Sequence, residues 1–160
     1  LDSYFSPLTE TIEKHVMSRI YHECNELFRT WFSILIADEN ILAYMDDTFS
    51  PMVTQNGYQI EVNNLSGGER TSVALAYRLA LNRVVNDIIQ TIKTKDIIML
   101  DEPTDGFSTE QLDRVKEVLD QLNVKQTIIV SHENKIESFV DKVVRVVKGN
   151  GVSRVVGGAG

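Results

Sequence analysis

The sequence predicts an α/β fold, with a mostly parallel sheet, flanking helices and two β-hairpins. Three observations carry this. Two short apolar runs, Ile97–Leu100 and Thr127–Val130, end abruptly in Asp101-Glu102 and Ser131-His132. Runs of that length, rich in β-branched residues, suit parallel strands buried on both faces. Asn56-Gly57 and Asn150-Gly151 each lie between strand-like runs, and Asn-Gly is the favoured two-residue hairpin turn because both positions tolerate positive φ. Finally, helical stretches alternate with the apolar runs, and strand, helix, strand, helix, strand is the α/β order.

In chain order, the first element is a long helix from about Pro7 to Ile36. Ile12, Val16, Ile20, Cys24, Leu27, Trp31 and Ile34 recur at steps of three and four and form one stripe. Met17, Tyr21, Phe28, Phe32 and Leu35 widen the stripe toward its C-terminal end. A narrow seam that broadens suits the last stretch of a coiled coil running into a globular head, or equally a plain core helix. A hairpin over Thr48 to Val62 follows, with Asn56-Gly57 as its turn. "NNLSGGERTSVALAYRLALNRVV" comes next, and its helix is expected from Thr71 to about Ile92. After the strand Ile97–Leu100, Leu112, Val115, Leu119 and Leu122 mark another helix. Ser108 with Gln111 has the spacing of a capping box at its start. The strand Thr127–Val130, a helix over about Asn134 to Val140 and a hairpin across Asn150-Gly151 complete the chain. No internal repeat or low-complexity linker is present.

The chain has 160 residues, enough for one domain with a real core. Its net charge of -7 argues against a broadly basic nucleic-acid-coating surface, while leaving room for a local basic patch. One cysteine, Cys24, allows neither an internal disulfide nor a zinc cluster, so an intracellular reducing setting is expected. No apolar run approaches membrane-spanning length and no signal peptide is visible. The first residue is Leu1 rather than Met, so a fragment is expected. The glycine-rich stretch 157–160 is read as a tail outside the fold, native or appended.

Three constellations carry chemistry. In Asn63 to Val85, Ser66 offers a hydroxyl, Gly67 and Gly68 let backbone come close, and a helix N-terminus presents unpaired N–H groups. That is an anion site, or alternatively a tight turn with a serine cap. No Lys follows any of the nine glycines, so a G-x-x-x-x-G-K-[ST] loop does not exist here. Second, Asp101-Glu102 ends an apolar strand, and ligands bind at the carboxyl ends of parallel strands. One acid there can hold hydrated Mg²⁺ and the next can face an attacking water; both can also be solvated strand ends. Third, His132 after a buried strand can donate to a phosphate oxygen, or can be a satisfied histidine beside a capping serine.

Taken together and in order, "LSGGE", "IIMLDEPT" and "VSH" resemble the signature motif, the Walker B strand with D-loop, and the H-loop of ABC-type ATPases. The resemblance covers roughly Asn63 to Val147. Glu69 departs from the glutamine usual in transporter signatures, and SMC and condensin-type heads typically carry D-E-V-D after Walker B. Asp101-Glu102-Pro103-Thr104 is similar to the form in the Rad-fifty family, the double-strand-break repair ATPases that work with the Mre nuclease. The long first helix agrees with that family's coiled coil. Phe107-Ser108 departs from the family's usual Leu-Asp at the end of the D-loop, which puts any cross-dimer carboxylate contact in doubt.

The resemblance implies the C-terminal lobe of a split head: 1–45 as the end of the coiled coil and entering helix, 46–156 as the lobe itself. An N-terminal lobe with the Walker A loop would be its first partner. ATP and Mg²⁺ would be the cofactors, with zinc only in an absent coiled-coil hook. Asp101 would orient Mg²⁺ through water, Glu102 would position the hydrolytic water, and His132 would sense the γ-phosphate of its own head. Ser66, Gly67, Gly68 and Glu69 would face the γ-phosphate of a second head, with Asp105 of the D-loop beside them. Arg70 and Arg78 resemble residues that exchange salt-bridge partners when the lobes rotate, or are solvated helix charges. ATP would pair two heads and hydrolysis would release them, controlling DNA binding and an Mre-type nuclease at the coiled-coil base. The expected location is the cytoplasm of a prokaryote or the nucleus of a eukaryote. The rival readings are another SMC-like or RecF-like head, a transporter nucleotide-binding domain, and a binding module whose acids are not catalytic.

Overall fold

A computed structural model describes residues 2–89 and 96–159, with side chains for 9–89 and 96–157. Helix α1 spans Asp2–Ile36. Its residues 9–19 are all exposed, Ile12 at 54% and Val16 at 46%, whereas Cys24, Phe28, Trp31, Phe32 and Leu35 are buried. The stripe therefore projects from the core before it enters it, and the broadening lies where the aromatic residues begin. Burial of each large aromatic side chain stabilises by about 1.5–3 kcal/mol.

A strand that the sequence reading assigned to the end of the coiled-coil segment follows: β1, Ile41–Met45. Its signal was the alternation of Ile41, Ala43 and Met45, all buried, with exposed Leu42 between. Beside it lies β2, Pro51–Gln55, and then β3, Tyr58–Ile60, all antiparallel. The β2–β3 turn is Asn56-Gly57 with φ of 51° and 82°, as expected. The outer edge of β1 is tied to α1: Met45 N–H donates to Asn25 Oδ1 at 2.8 Å, and Tyr21 Oη donates to the Met45 carbonyl at 2.7 Å. These bonds satisfy edge-strand groups that would otherwise be buried unpaired.

Helix α2, Gly67–Ile88, begins four residues before the expected Thr71, because Ser66 and Glu69 form a capping box that starts the helix at the glycines. It ends at Ile88, with Ile89 already outside the helix, short of the expected end near Ile92; residues 90–92 lie outside the described residues. Ala76 and Ala80 are fully buried and allow close packing on α1, where Tyr77 meets Phe28 edge-on at 5.8 Å.

Strand β4, Ile97–Asp101, and strand β5, Gln126–Val130, pair in parallel, Leu100 with Ile129 and Asp101 with Val130. Helix α3, Thr109–Leu122, connects them and starts at the expected Ser108–Gln111 capping box. The α/β class holds, but two expectations need correcting. The sheet is not mostly parallel: β4–β5 is the parallel pair among the described residues, and the other pairings are antiparallel. Nor are these strands buried on both faces. Ile98 and Leu100 are buried, while Ile97, Met99, Ile128 and Val130 are exposed. Helices cover one face only, so the apolar content of the runs reports a face with no cover among the described residues.

The helix expected over Asn134 to Val140 is a 3-10 turn, Asn134–Phe139, with an i→i−3 bond from Ile136 N–H to the Glu133 carbonyl at 3.2 Å. Six residues are too few to offset α-helix nucleation. The last hairpin is β6, Val143–Gly149, with β7, Val152–Ala159, and its turn is Asn150-Gly151 as expected. Strand β7 runs through 157–159, and Val143 pairs with Ala159. Those residues are thus part of the hairpin rather than a tail outside the fold, because small residues pair through backbone alone. The hairpin stands apart from the core, with Val144, Val146, Val155 and Val156 exposed.

Candidate functional site

The site forms where the parallel strands end. Strand β4 stops at Asp101, and Glu102 turns the chain with φ of 45°. A left-handed conformation at a residue with a long side chain is uncommon and costs energy. It is held by Glu102 N–H, which donates to the Val130 carbonyl at 2.9 Å and extends the parallel ladder one step. Two residues past β5, His132 comes back across the same edge, with Nδ1 2.9 Å from Glu102 Oε2. With Nδ1 protonated the imidazole donates to the carboxylate, while Nε2 lies 3.9 Å from Glu133 Oε1. Both side chains remain open to solvent, His132 at 68% and Glu102 at 42%.

The chain then makes the tight turn 102–107. Asp105 N–H donates to the Glu102 carbonyl at 3.4 Å, and Phe107 N–H donates to the Thr104 carbonyl at 3.0 Å. Gly106 supplies the φ of 77° the turn needs. Thr104 is fully buried, and its hydroxyl has no partner among the described residues.

Against this turn packs the start of α2. Ser66 Oγ accepts from Glu69 N–H at 3.3 Å, and Ser66 N–H donates to Glu69 Oε2 at 2.7 Å. The Glu69 side chain is therefore committed to the helix cap, whereas the Ser66 hydroxyl proton is free to donate outward. The two glycines serve different ends. A Cβ at Gly68 would lie 2.8 Å from Gln111 Oε1 and 3.0 Å from the Gly106 carbonyl, so one there would force the Gln111 side chain and the turn at Gly106 to shift. A Cβ at Gly67 would meet nothing within 4 Å, which leaves that side of the turn open. Thr71, one turn along, donates from Oγ1 to the Asp105 carbonyl at 2.8 Å.

Between α2 and β4 runs a groove of about 550 Å³. Arg70, Ala74, Arg78 and Asn82 line one wall at helical spacing, and Met99, Asp101, Glu102 and Asp105 are on the other. Neither guanidinium is in an ion pair with a described residue. The structure thus brings Asp101, Glu102, Asp105 and His132 to one end, sets Ser66, Gly67 and Gly68 against the same turn, and aligns Arg70 and Arg78 beside it. Sequence reasoning missed Thr71 and the reach of Gln111 beyond its own cap. The S-x-x-E and S-x-x-Q spacings signal the caps, but nothing in them signals the contact between the two turns.

No family model matches the chain. Among curated proteins, it is 35% identical over 105 residues to the DNA double-strand break repair Rad50 ATPase of Thermococcus kodakarensis, covering 64% of this chain and 11% of the relative. It is 27% identical over 161 residues to that of Halobacterium salinarum, covering 92% of this chain and 17% of the relative. The chain thus spans a small part, between 9% and 17%, of the curated relatives it matches. Among solved structures it superposes on an Smc head domain with coiled coil and joint from Pyrococcus yayanosii, with a TM-score of 0.74 and 22% identity, over 96% of this chain and 30% of the other. A chain from work on ATP-driven dimerization and DNA-stimulated activation of SMC ATPases gives 0.68 and 21%, over 89% of this chain and 88% of that one.

The fold is that of a lobe of an SMC-type ATPase head. By sequence the chain is a homologue of the Rad50 ATPases, consistent with the C-terminal lobe of a head of that family.

Proposed function

We propose that this chain is the C-terminal half of an ATP-driven, dimerising head that acts in double-strand-break repair. The carrying observation is the 2.9 Å contact between His132 Nδ1 and Glu102 Oε2 across the carboxyl ends of two parallel strands. It gathers a base, a phosphate-directed imidazole and, through Asp101, a carboxylate for metal at one edge.

The described residues include no group of three or more His, Cys, Asp or Glu able to hold a metal by themselves. One carboxylate does fit Mg²⁺ held mainly by water and substrate phosphates, which is its usual mode with nucleotides. Bound there, Mg²⁺ would neutralise charge on the phosphates. Glu102 orients a water and accepts its proton. With both ring nitrogens protonated, His132 holds the carboxylate through Nδ1–H and offers Nε2–H toward phosphate. The Ser66 hydroxyl and the open backbone at Gly67 face the terminal phosphate bound by a second head, with Gly68 and the Glu69 cap supporting the turn and Asp105 beside it. Arg70 and Arg78, in no ion pair with a described residue along the groove, are placed to change partners when an adjoining lobe moves.

The exposed apolar side chains of Ile97, Met99, Ile128 and Val130 support a second lobe covering this sheet, since parallel sheets are stable when buried on both faces. That lobe brings the lysine-bearing phosphate loop that this sequence does not contain. The exposed stretch of α1 is read as the base of a coiled coil, where a nuclease of the Mre type docks. DNA is the ultimate target, and the setting is intracellular.

Mixing the chain with a separately made lobe that carries the Walker A loop tests this. Mg-ATP turnover is expected from the mixture and not from either part. Robust turnover by the pure chain would overturn the split-head reading, and a stable mixed complex without turnover would leave a binding module.

A further inference from the structure

The turn that opens α2 and the turn that opens α3 share one side chain, Gln111. Its Oε1 accepts from Ser108 N–H at 3.0 Å, and its own N–H donates to Ser108 Oγ at 3.3 Å. That exchange is the whole of a capping box. Gln111 goes further. Its Nε2 donates to Ser72 Oγ at 3.4 Å, and the fully buried Ser72 donates in turn to the Gly68 carbonyl at 2.9 Å. Gln111 Oε1 also lies 2.8 Å from where a Cβ at Gly68 would be, with the Gly106 carbonyl at 3.0 Å. Thr71 makes a second tie, to the Asp105 carbonyl. Glu69 occupies the same place in the capping box of α2, yet among the described residues its carboxylate bonds only Ser66.

We propose that Gln111 is a positioning residue, which fixes the backbone N–H groups of Gly67 and Gly68 relative to the turn 105–108. The two turns then meet the terminal phosphates of a nucleotide as one body. A cap requires only the Oε1 acceptor. The Nε2 bond, the close fit at Gly68 and the buried relay through Ser72 serve no capping purpose, and all three point at the glycine turn. The consequence for nucleotide rests on the function proposed above; the clamp itself does not.

Three variants separate clamp from cap. Gln111→Glu keeps an acceptor for Ser108 N–H and removes the donor to Ser72. Gln111→Met removes both. Ser108→Ala weakens the cap and leaves Gln111 in place. Amide hydrogen exchange on the 160-residue chain, read by NMR without nucleotide, is the first readout. Gln111→Glu is expected to speed exchange at Thr71 and Ser72 about fivefold, as loss of one neutral hydrogen bond does, with the first turn of α3 unchanged. Ser108→Ala should do the reverse. Identical patterns confined to α3, or no change with Gln111→Glu, would overturn the proposal.

The second readout is ATP-dependent pairing of heads assembled with the Walker A lobe. Gln111→Met should raise the ATP needed for half-maximal pairing about fivefold, more than it alters turnover of paired heads, and Ser108→Ala should not. Equal effects of the two variants would reduce Gln111 to a cap. If the parent does not pair with ATP at all, the nucleotide reading falls, and the exchange data still decide the clamp.

Discussion

His132 Nδ1 sits 2.9 Å from Glu102 Oε2, although 30 residues separate them in sequence. The parallel pairing of β4 with β5 makes this possible, because Asp101 lies opposite Val130 and both strands leave the sheet at the same edge. Glu102 is further held in a left-handed conformation by the Val130 carbonyl. In the assembled head, Glu102→Gln keeps the shape and the contact but cannot take a proton. Hydrolysis should fall by about 10²–10⁴-fold, with nucleotide still bound and paired heads accumulating on a sizing column. Turnover close to the parent rate would remove Glu102 from the chemistry.

Ser66→Arg should abolish ATP-driven pairing of heads while each head stays folded. Ser66 is exposed at the turn, and beyond it the Gly67 side is open. A long side chain would fill the slot that an opposing phosphate must enter, and exclusion should outweigh the added charge. Losing the serine cap costs about 1 kcal/mol, too little to unfold the chain. Light scattering with a non-hydrolysable ATP analogue is the measurement, and pairing at the parent's level would reduce the turn to a plain cap.

Charged replacements at Ile12 and Val16 should leave the melting temperature nearly unchanged. These side chains are 54% and 46% exposed, outside the core that begins near Ile20, and such surface changes usually stay within about 0.5 kcal/mol. Binding of a nuclease partner should weaken. A large loss of stability with binding intact would show that the stripe is packed in the complete protein.

Arg114→Met should destabilise the chain through α1 rather than α3. Arg114 Nη1 donates to the carbonyls of Ile36 at 3.1 Å and Leu35 at 3.4 Å, the last unsatisfied acceptors of the long helix. A partly buried cation at a helix C-terminus contributes about 1–2 kcal/mol, so the melting temperature should drop by roughly 2–8 °C. An unchanged melting curve would show that water caps α1 equally well.

Cys24 should resist alkylation in the folded chain. The side chain is fully buried, and burial pushes its thiol up to about 11. The folded thiol keeps its proton to that pH, whereas the unfolded one releases it near its ordinary value of about 8.5. Stability should therefore decline as pH rises through that window, and Cys24→Ala should remove this component. Fast labelling without denaturant would contradict the burial.

Sequence alone determined what is local in this protein. Asn56-Gly57 and Asn150-Gly151 set both hairpins, because few residue pairs adopt positive φ twice in succession. Ser108 and Gln111 announced the start of α3 through a cap that spans four residues. The apolar runs before Asp101 and before Ser131 announced the two parallel strands, and the long stripe announced α1. Tertiary structure decided the rest. The Ser66–Glu69 cap that starts α2 at the glycines is as local as that of α3, whereas β1 emerged only where a short alternation could pair with β2 and bond to Asn25 and Tyr21 of α1. Whether Ile97 and Met99 are covered depends on which surfaces lie beside them, and a run of apolar letters reads the same on a buried strand and on one with a bare face. The meeting of Glu102 with His132, and of Gly68 with Gln111, is likewise invisible to spacing. Each pair lies tens of residues apart, and its separation is set by the packing of whole elements rather than by the geometry of a single turn.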